Sequence, residues 1–217
     1  DEAGSDTQFV SSYGLTYKDA ERLRGTLPGV EVSVPSRRIR DRVRYRTRQP
    51  TAQVVGTVPW YRDAQKVEVY RPGRFLTEID MRNFNPVCVI SEALVRKLFT
   101  YEDPLGKRVL VGQNVYEVVG VMADSGSSRD ATSGKSNAPP VMYVPLTTLN
   151  QYVGDLFVEF AQGQRTFEKV ELHQIILSVD DVDRVLSTAA VVRKDLADHH
   201  KEKDYRLVVP SKLLKEA

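Results

Sequence analysis

Apolar and polar positions alternate most regularly between Pro86 and Asp124. Pro86–Ile90 is short, apolar and β-branched, which predicts a strand. Ser91 stands where a helix N-cap is needed, because its hydroxyl can accept an otherwise orphaned backbone N–H. Ala93, Leu94, Val95, Leu98 and Phe99 then recur at helical spacing. Asp103-Pro104 ends that helix, since the residue before a proline is pushed out of the α region. Lys107–Val111 and Val115–Met122 are expected as two strands joined around Gly112-Gln113-Asn114. The second carries apolar residues on both faces, which predicts a central strand.

The same reading extends along the rest of the chain. Residues Asp1–Asp6 are small and polar and are expected to fray. Thr7–Tyr13 suits a short strand. A helix is predicted from Thr16, with Thr16 and Asp19 as a weak capping box, Ala20, Leu23 and Leu27 on one face, and Pro28-Gly29 as its end. Val30, Val32 and Val34 alternate with Glu31 and Ser33, as in a half-buried strand. Thr51–Val58 reads as a strand, Trp60 after it as a core anchor, and Val67–Val69 with Arg71-Pro72-Gly73-Arg74-Phe75 leads toward Pro86. Ser125–Ala138 has no large apolar residue to offset the entropy of ordering, so a mobile loop is expected. Val141–Val144 should be a strand, Pro145–Tyr152 a short helix, Phe157–Ala161 a strand and Gln162–Thr166 a polar link.

Near the C-terminus, Leu172–Val179 reads as a strand. Asp180-Asp181 should cap a helix whose apolar face is Val182, Val185, Leu186, Ala189, Val192 and Leu196. His199, His200 and Lys201 close its C-terminal end, where positive charge suits the dipole. Tyr205–Val209 is expected as a last strand, followed by the start of a helix at Lys212–Glu216.

One pattern follows no structural rule of this kind. Arg38, Arg40, Arg42, Arg44, Arg46 and Arg48 occupy every second position. Alternate residues of a strand share a face. If the run is extended throughout, six guanidinium groups form one ladder, with Ile39, Val43 and Tyr45 on the opposite face. Either acidic residues on a neighbouring strand neutralise the ladder, or it docks an anionic partner.

Composition narrows the function classes. The chain has 217 residues, 41% apolar and 28% charged, which suits one large domain or two small ones. No apolar run approaches the roughly 20 residues needed to span a bilayer. A formal net charge of +2, without aromatic interleaving of the arginines, argues against nucleic acid as a partner. Cys88 is the only cysteine, so an intrachain disulfide framework is excluded. Gly106-Lys107 lacks the earlier glycine and the following Ser/Thr of a phosphate loop. Adjacent His199 and His200 would point roughly 100° apart on a helix and make a poor metal site. No catalytic residue, metal ligand or cofactor-binding residue is assigned, and no cofactor is expected.

Several phrases together carry a resemblance. They are Ser91-Glu92-Ala93-Leu94, Lys97-Leu98-Phe99, Asp103-Pro104-Leu105-Gly106-Lys107-Arg108 and Val118-Val119-Gly120-Val121. Gly73-Arg74-Phe75-Leu76-Thr77 with Asp80 adds another, in which arginine and aspartate could form a surface pair. In this order they resemble the MacB-like periplasmic core domain, which sits between membrane helices in permeases of the macrolide-exporter and lipoprotein-release class. The resemblance implies an α+β fold with two subdomains. A membrane-proximal, porter-like subdomain would be built from residues 1–68 and 162–217, and a strand-rich, sabre-like one from residues 69–161 would be inserted in it. It implies an extracytoplasmic, non-catalytic domain that relays ATP-driven motion. Its partners would be its own transmembrane helices, a separate ATP-binding subunit or domain, a second permease copy, and a periplasmic adaptor or lipoprotein. The competing expectation is a stand-alone soluble module that binds an anionic partner through the arginine-rich strand.

Overall fold

The computed structural model describes residues 10–12, 14–26, 30–100, 102–124, 138–153, 156–161, 164–169, 171–179, 182–200 and 205–209. In chain order the elements are β1 (Val10–Ser12), α1 (Tyr17–Thr26), β2 (Val30–Arg44), β3 (Thr51–Thr57), α2 (Tyr61–Ala64), α3 (Glu78–Arg82), β4 (Val87–Ser91), α4 (Glu92–Leu98), β5 (Arg108–Val111) and β6 (Asn114–Met122). They continue with β7 (Val141–Pro145), α5 (Leu146–Val153), β8 (Leu156–Ala161), β9 (Gln164–Lys169), β10 (Gln174–Val179) and α6 (Val185–His199). The chain divides into two compact units, Asp1–Ser33 with Val153–Ala217, and Val34–Tyr152.

In the second unit the strands run β2-β3-β7-β4-β6-β5, and β5 returns to pair with β2 through Val43↔Val111 and Arg44↔Leu110. The six strands therefore close into a ring. Within it β3–β7 and β4–β6 are parallel and the other pairs antiparallel. On β6 burial alternates, with Tyr116, Val118 and Met122 buried, whereas β4 and β7 are buried on both faces, Cys88, Val89 and Ile90 among them. β6 lies between β4 and β5, as its apolar pattern predicts.

Helix α4 starts as its sequence requires. The Ser91 hydroxyl accepts the Leu94 N–H at 3.3 Å, and Ala93, Leu94 and Leu98 are buried. That hydroxyl also accepts the Val141 N–H at 3.0 Å, so one oxygen ties a helix start to strand β7. Helix α5 packs close to β3: a Cβ on Gly56 would lie 2.6 Å from Leu149 Cδ2, so a side chain there must displace Leu149. Trp60 is half-buried in a turn, and its neighbour Tyr61 is the core anchor, packed on Phe75 and Tyr143.

In the first unit β9 pairs with β1 in parallel and with β8 in antiparallel register. Leu23 of α1 meets Val192 and Leu196 of α6, with Leu15, Val30, Ile175, Leu177, Tyr205 and Leu207 around them.

Several elements differ from the reading of the sequence. The Val30–Val34 strand and most of the arginine row form one continuous strand. The expected link at 162–166 contains the start of β9, because Gln164–Lys169 has a full antiparallel partner in β8. Tyr205–Val209, expected as a strand, is irregular. Residues 182–184 form a tighter 3-10 turn before α6. On α6 itself Thr188 is buried and Leu186 is 51% exposed, so the inward face is rotated from the expected one.

The unit boundaries also differ from those expected. Residues up to 68 were expected with the chain ends, yet β2 and β3 pair with β5 and β7 and so belong to the second unit from Val34 onward. At the other side the break falls after Tyr152, because β8 pairs along its length with β9. The expectations for Asp1–Asp6, Pro28-Gly29, residues 125–137 of the loop, the Asp180-Asp181 cap and the Lys212–Glu216 helix lie outside the described residues.

Candidate interaction surface

Four of the six arginines lie on β2 and two lie beyond it. The strand ends at Arg44. Arg46 has φ +52° in a two-residue turn closed by hydrogen bonds in both directions between the Tyr45 and Arg48 backbones. Arg46 pairs with Glu102 at 2.6 Å and lies over the Tyr45 ring, and the Tyr45 hydroxyl donates to Glu102 at 2.8 Å. Arg48 reaches the Leu98 carbonyl at 3.4 Å. Arg38 is half-buried. The ladder of six is thus shortened to an exposed row of three: Arg40, Arg42 and Arg44.

The cross-strand neighbours of this row carry no counter-charge, and the adjacent Asp41 turns its carboxylate to the Arg42 backbone N–H at 2.6 Å. Arg40 lies opposite Gln53 and Arg42 opposite Thr51 on β3, while Arg44 lies opposite Leu110 on β5. Among the described residues none of the three forms an ion pair. Successive guanidinium groups spring from positions about 7 Å apart. Like charges at that spacing repel by only about 0.6 kcal/mol in bulk water, so the row is tolerated while exposed.

The sequence reading missed Arg37, which is fully buried. Its Nη1 donates to Asn150 Oδ1 of α5 at 3.1 Å. The signal was parity: Arg37 shares a strand face with Ile39 and Val43, the inward-facing set, while the exposed arginines have even numbers.

The phrases that carry the family resemblance meet in space. Gly120 sits where the chain at Arg74 crosses β6, and a Cβ there would fall on the Arg74 carbonyl. Opposite it a bulge in β4–β6 leaves Val119 as an extra residue, between Cys88↔Val118 and Val89↔Gly120. The Val119 carbonyl accepts the Arg74 N–H at 2.9 Å, and the Val121 carbonyl accepts the Tyr70 N–H at 2.9 Å. The Gly106 N–H donates to the Val118 carbonyl at 2.8 Å, and Gly106 itself has φ +72°, a conformation glycine adopts without strain.

Arg74 then turns to Asp80, with Nη1 2.6 Å from Oδ2. The expected surface pair is half-buried: the Asp80 side chain is 2% exposed and that of Arg74 is 46% exposed. Asp80 also accepts the Thr77 N–H, the Thr77 hydroxyl and the Asn85 amide. Burial alone would raise its pKa, but these donors outweigh it and hold the carboxyl at about 2. Asp124 plays a similar part for α4, accepting the Ala93 N–H at 2.9 Å and pairing with Arg96 at 2.8 Å.

In the first unit, Asp19 accepts from the Thr16 N–H, the Thr16 hydroxyl and Arg22, and His200 Nε2 lies 3.2 Å from it. Burial pushes its carboxyl up, and these partners together pull it below the ordinary range. His199 instead turns to Asp195, so the adjacent histidines serve different partners. Among the described residues no group of three metal-ligating side chains converges. Cys88 is fully buried, and burial pushes its thiol pKa up.

The mixed α+β fold is the class the sequence phrases anticipate, while the closure of its strands into a ring comes from the structure. The model of one protein family, the MacB-like periplasmic core domain, matches residues 2–194. The chain belongs to this family, whose place is the periplasmic face of the inner membrane in transporter permeases.

The macrolide export ATP-binding/permease protein MacB of Nitrosomonas europaea is 29% identical over 136 residues, covering 62% of this chain and 18% of that protein. The protein of the same name from Marinobacter nauticus is 26% identical over 181 residues, covering 83% of this chain and 25% of that protein. The chain therefore spans a quarter or less of these relatives. Among solved structures, the extracellular domain of the noncanonic ABC-type transporter YknZ from Gram-positive bacteria matches with TM-score 0.65 and 25% identity, covering 88% of this chain and 86% of that one. The periplasmic region of MacB from Actinobacillus actinomycetemcomitans has TM-score 0.69 at 23% identity, covering 94% and 82%, and supports the fold. Among the described residues no helix is long and apolar enough to cross a membrane.

Proposed function

We propose that this domain relays conformational change, driven by ATP hydrolysis in a separate subunit or domain, to a substrate or partner protein outside the inner membrane, and catalyses nothing itself. The observation that carries this reading is how the family phrases are used. Gly120 packs on Arg74, Arg74 pairs with Asp80, and the Gly106 N–H donates to the Val118 carbonyl, so all of them brace strand β6 of the ring. Such residues stiffen a body so that it moves as a unit. Relatives named as ATP-binding/permease proteins support a coupled ATPase and flanking membrane helices. The remaining partners in this reading are a second permease copy and a periplasmic adaptor or lipoprotein.

The test uses the full-length permease with its ATPase in proteoliposomes. A spin label at exposed Glu78 of each permease copy reports the distance between the two domains. The distance distribution should shift between the nucleotide-free and vanadate-trapped states. A distribution that ignores nucleotide, or ATP hydrolysis by the purified domain, would sink the relay.

A further inference from the structure

The geometry points to an acidic polypeptide, docked in extended form, as the partner of the outward face of β2. Arg40, Arg42 and Arg44 present three guanidinium groups on one side of a strand whose cross-strand neighbours are Gln53, Thr51 and Leu110. All three are exposed, and no described carboxylate pairs with them. The adjoining Arg46 and Arg48 have intrachain partners in Glu102 and the Leu98 carbonyl, so the open row stops at Arg44.

Two features select the partner. Guanidinium groups bind carboxylates through paired, planar hydrogen bonds, and their strand spacing of about 7 Å equals that of alternate side chains on an extended peptide. A segment with an acidic residue at every second position therefore meets each arginine in turn. Next to Arg44, Leu110 is partly exposed, and Val115, opposite it on β6, is 48% exposed. The row Arg44–Leu110–Val115 crosses three strands and offers the partner an apolar contact at one end. A lipid surface would select protruding aromatic or several leucine side chains beside the charges, and the partly exposed Leu110 with Val115 supplies little of that.

This inference stands apart from the relay, and its test uses the purified chain alone. The probes are a fluorescein-labelled synthetic peptide alternating Glu and Thr, an isomer with all its Glu in one block, and phosphatidylglycerol vesicles. The alternating peptide should bind tightest, in a salt-sensitive manner. Arg40→Gln, Arg42→Gln and Arg44→Gln combined should weaken it about tenfold or more, with an unchanged circular dichroism spectrum and urea midpoint. Arg46→Gln with Arg48→Gln should leave the affinity unchanged. Equal binding by the triple variant overturns the proposal. So does equal or tighter binding of the block isomer, and so does binding to vesicles without binding to the peptide.

Discussion

The carbonyl of Arg74 occupies the place where a side chain on residue 120 would begin. Both atoms belong to backbone, so neither can rotate away. Gly120→Ala must push the 70–74 segment off β6 and strain its hydrogen bonds to Val119 and Val121. The expected loss is at or above the upper end of the roughly 1–3 kcal/mol typical of overpacking. Urea unfolding monitored by tryptophan fluorescence measures it. An unchanged midpoint would show that the crossing is slack.

Asp80 gives the domain a definite acid sensitivity. Its carboxyl binds a proton more weakly in the folded chain, at about 2, than the usual value of 3.8. The stabilisation is therefore complete above about pH 4 and disappears as the pH falls toward about 2. Because Arg74 is half-exposed, solvent screening limits the contribution to about 1–2 kcal/mol. Stability measured against pH should drop across this window in the wild type, and the drop should be smaller in Asp80→Asn.

Ser91 satisfies two backbone donors from different elements. Ser91→Ala leaves the Leu94 and Val141 N–H groups without that acceptor. A lost cap costs about 1 kcal/mol, and a second stranded donor adds about 1–3 kcal/mol. Ser91→Thr should recover much of the loss. Hydrogen exchange at Leu94 and Val141 is the direct readout, and both amides should exchange faster in the alanine variant.

Cys88 should be silent in the native state. Full burial and a raised thiol pKa leave almost no thiolate for attack. A disulfide reagent should label it only as the second unit unfolds, with a rate equal to that of unfolding. Fast labelling of the native chain would mean the ring opens readily.

The regular stretch from Pro86 to Asp124 was legible because local rules and tertiary packing agree there. The Ser91 cap, the α4 spacing and the turn at Gly112 are all decided within a few residues. The arginine row was only partly legible. Alternation placed Arg40, Arg42 and Arg44 outward correctly, but the two-residue turn at Arg46-Thr47 carries no glycine or asparagine to announce it. β9 was missed because Gln164–Lys169 is polar, and its strand character comes from β1 and β8 on either side. Asp19 and His200 are 181 residues apart, and no spacing rule connects them. The unit boundary depends on which strands β2 and β3 pair with, a non-local choice that sequence periodicity does not record.

A ring of six strands has no first or last member. Inward positions answer to the core, and each is constrained by neighbours on both sides. Outward positions that nothing covers are free to change one residue at a time at little cost to folding. The arginine row is such a set. The chain can therefore keep its inner sequence and alter the charge of its outer surface by rewriting every second residue of one strand.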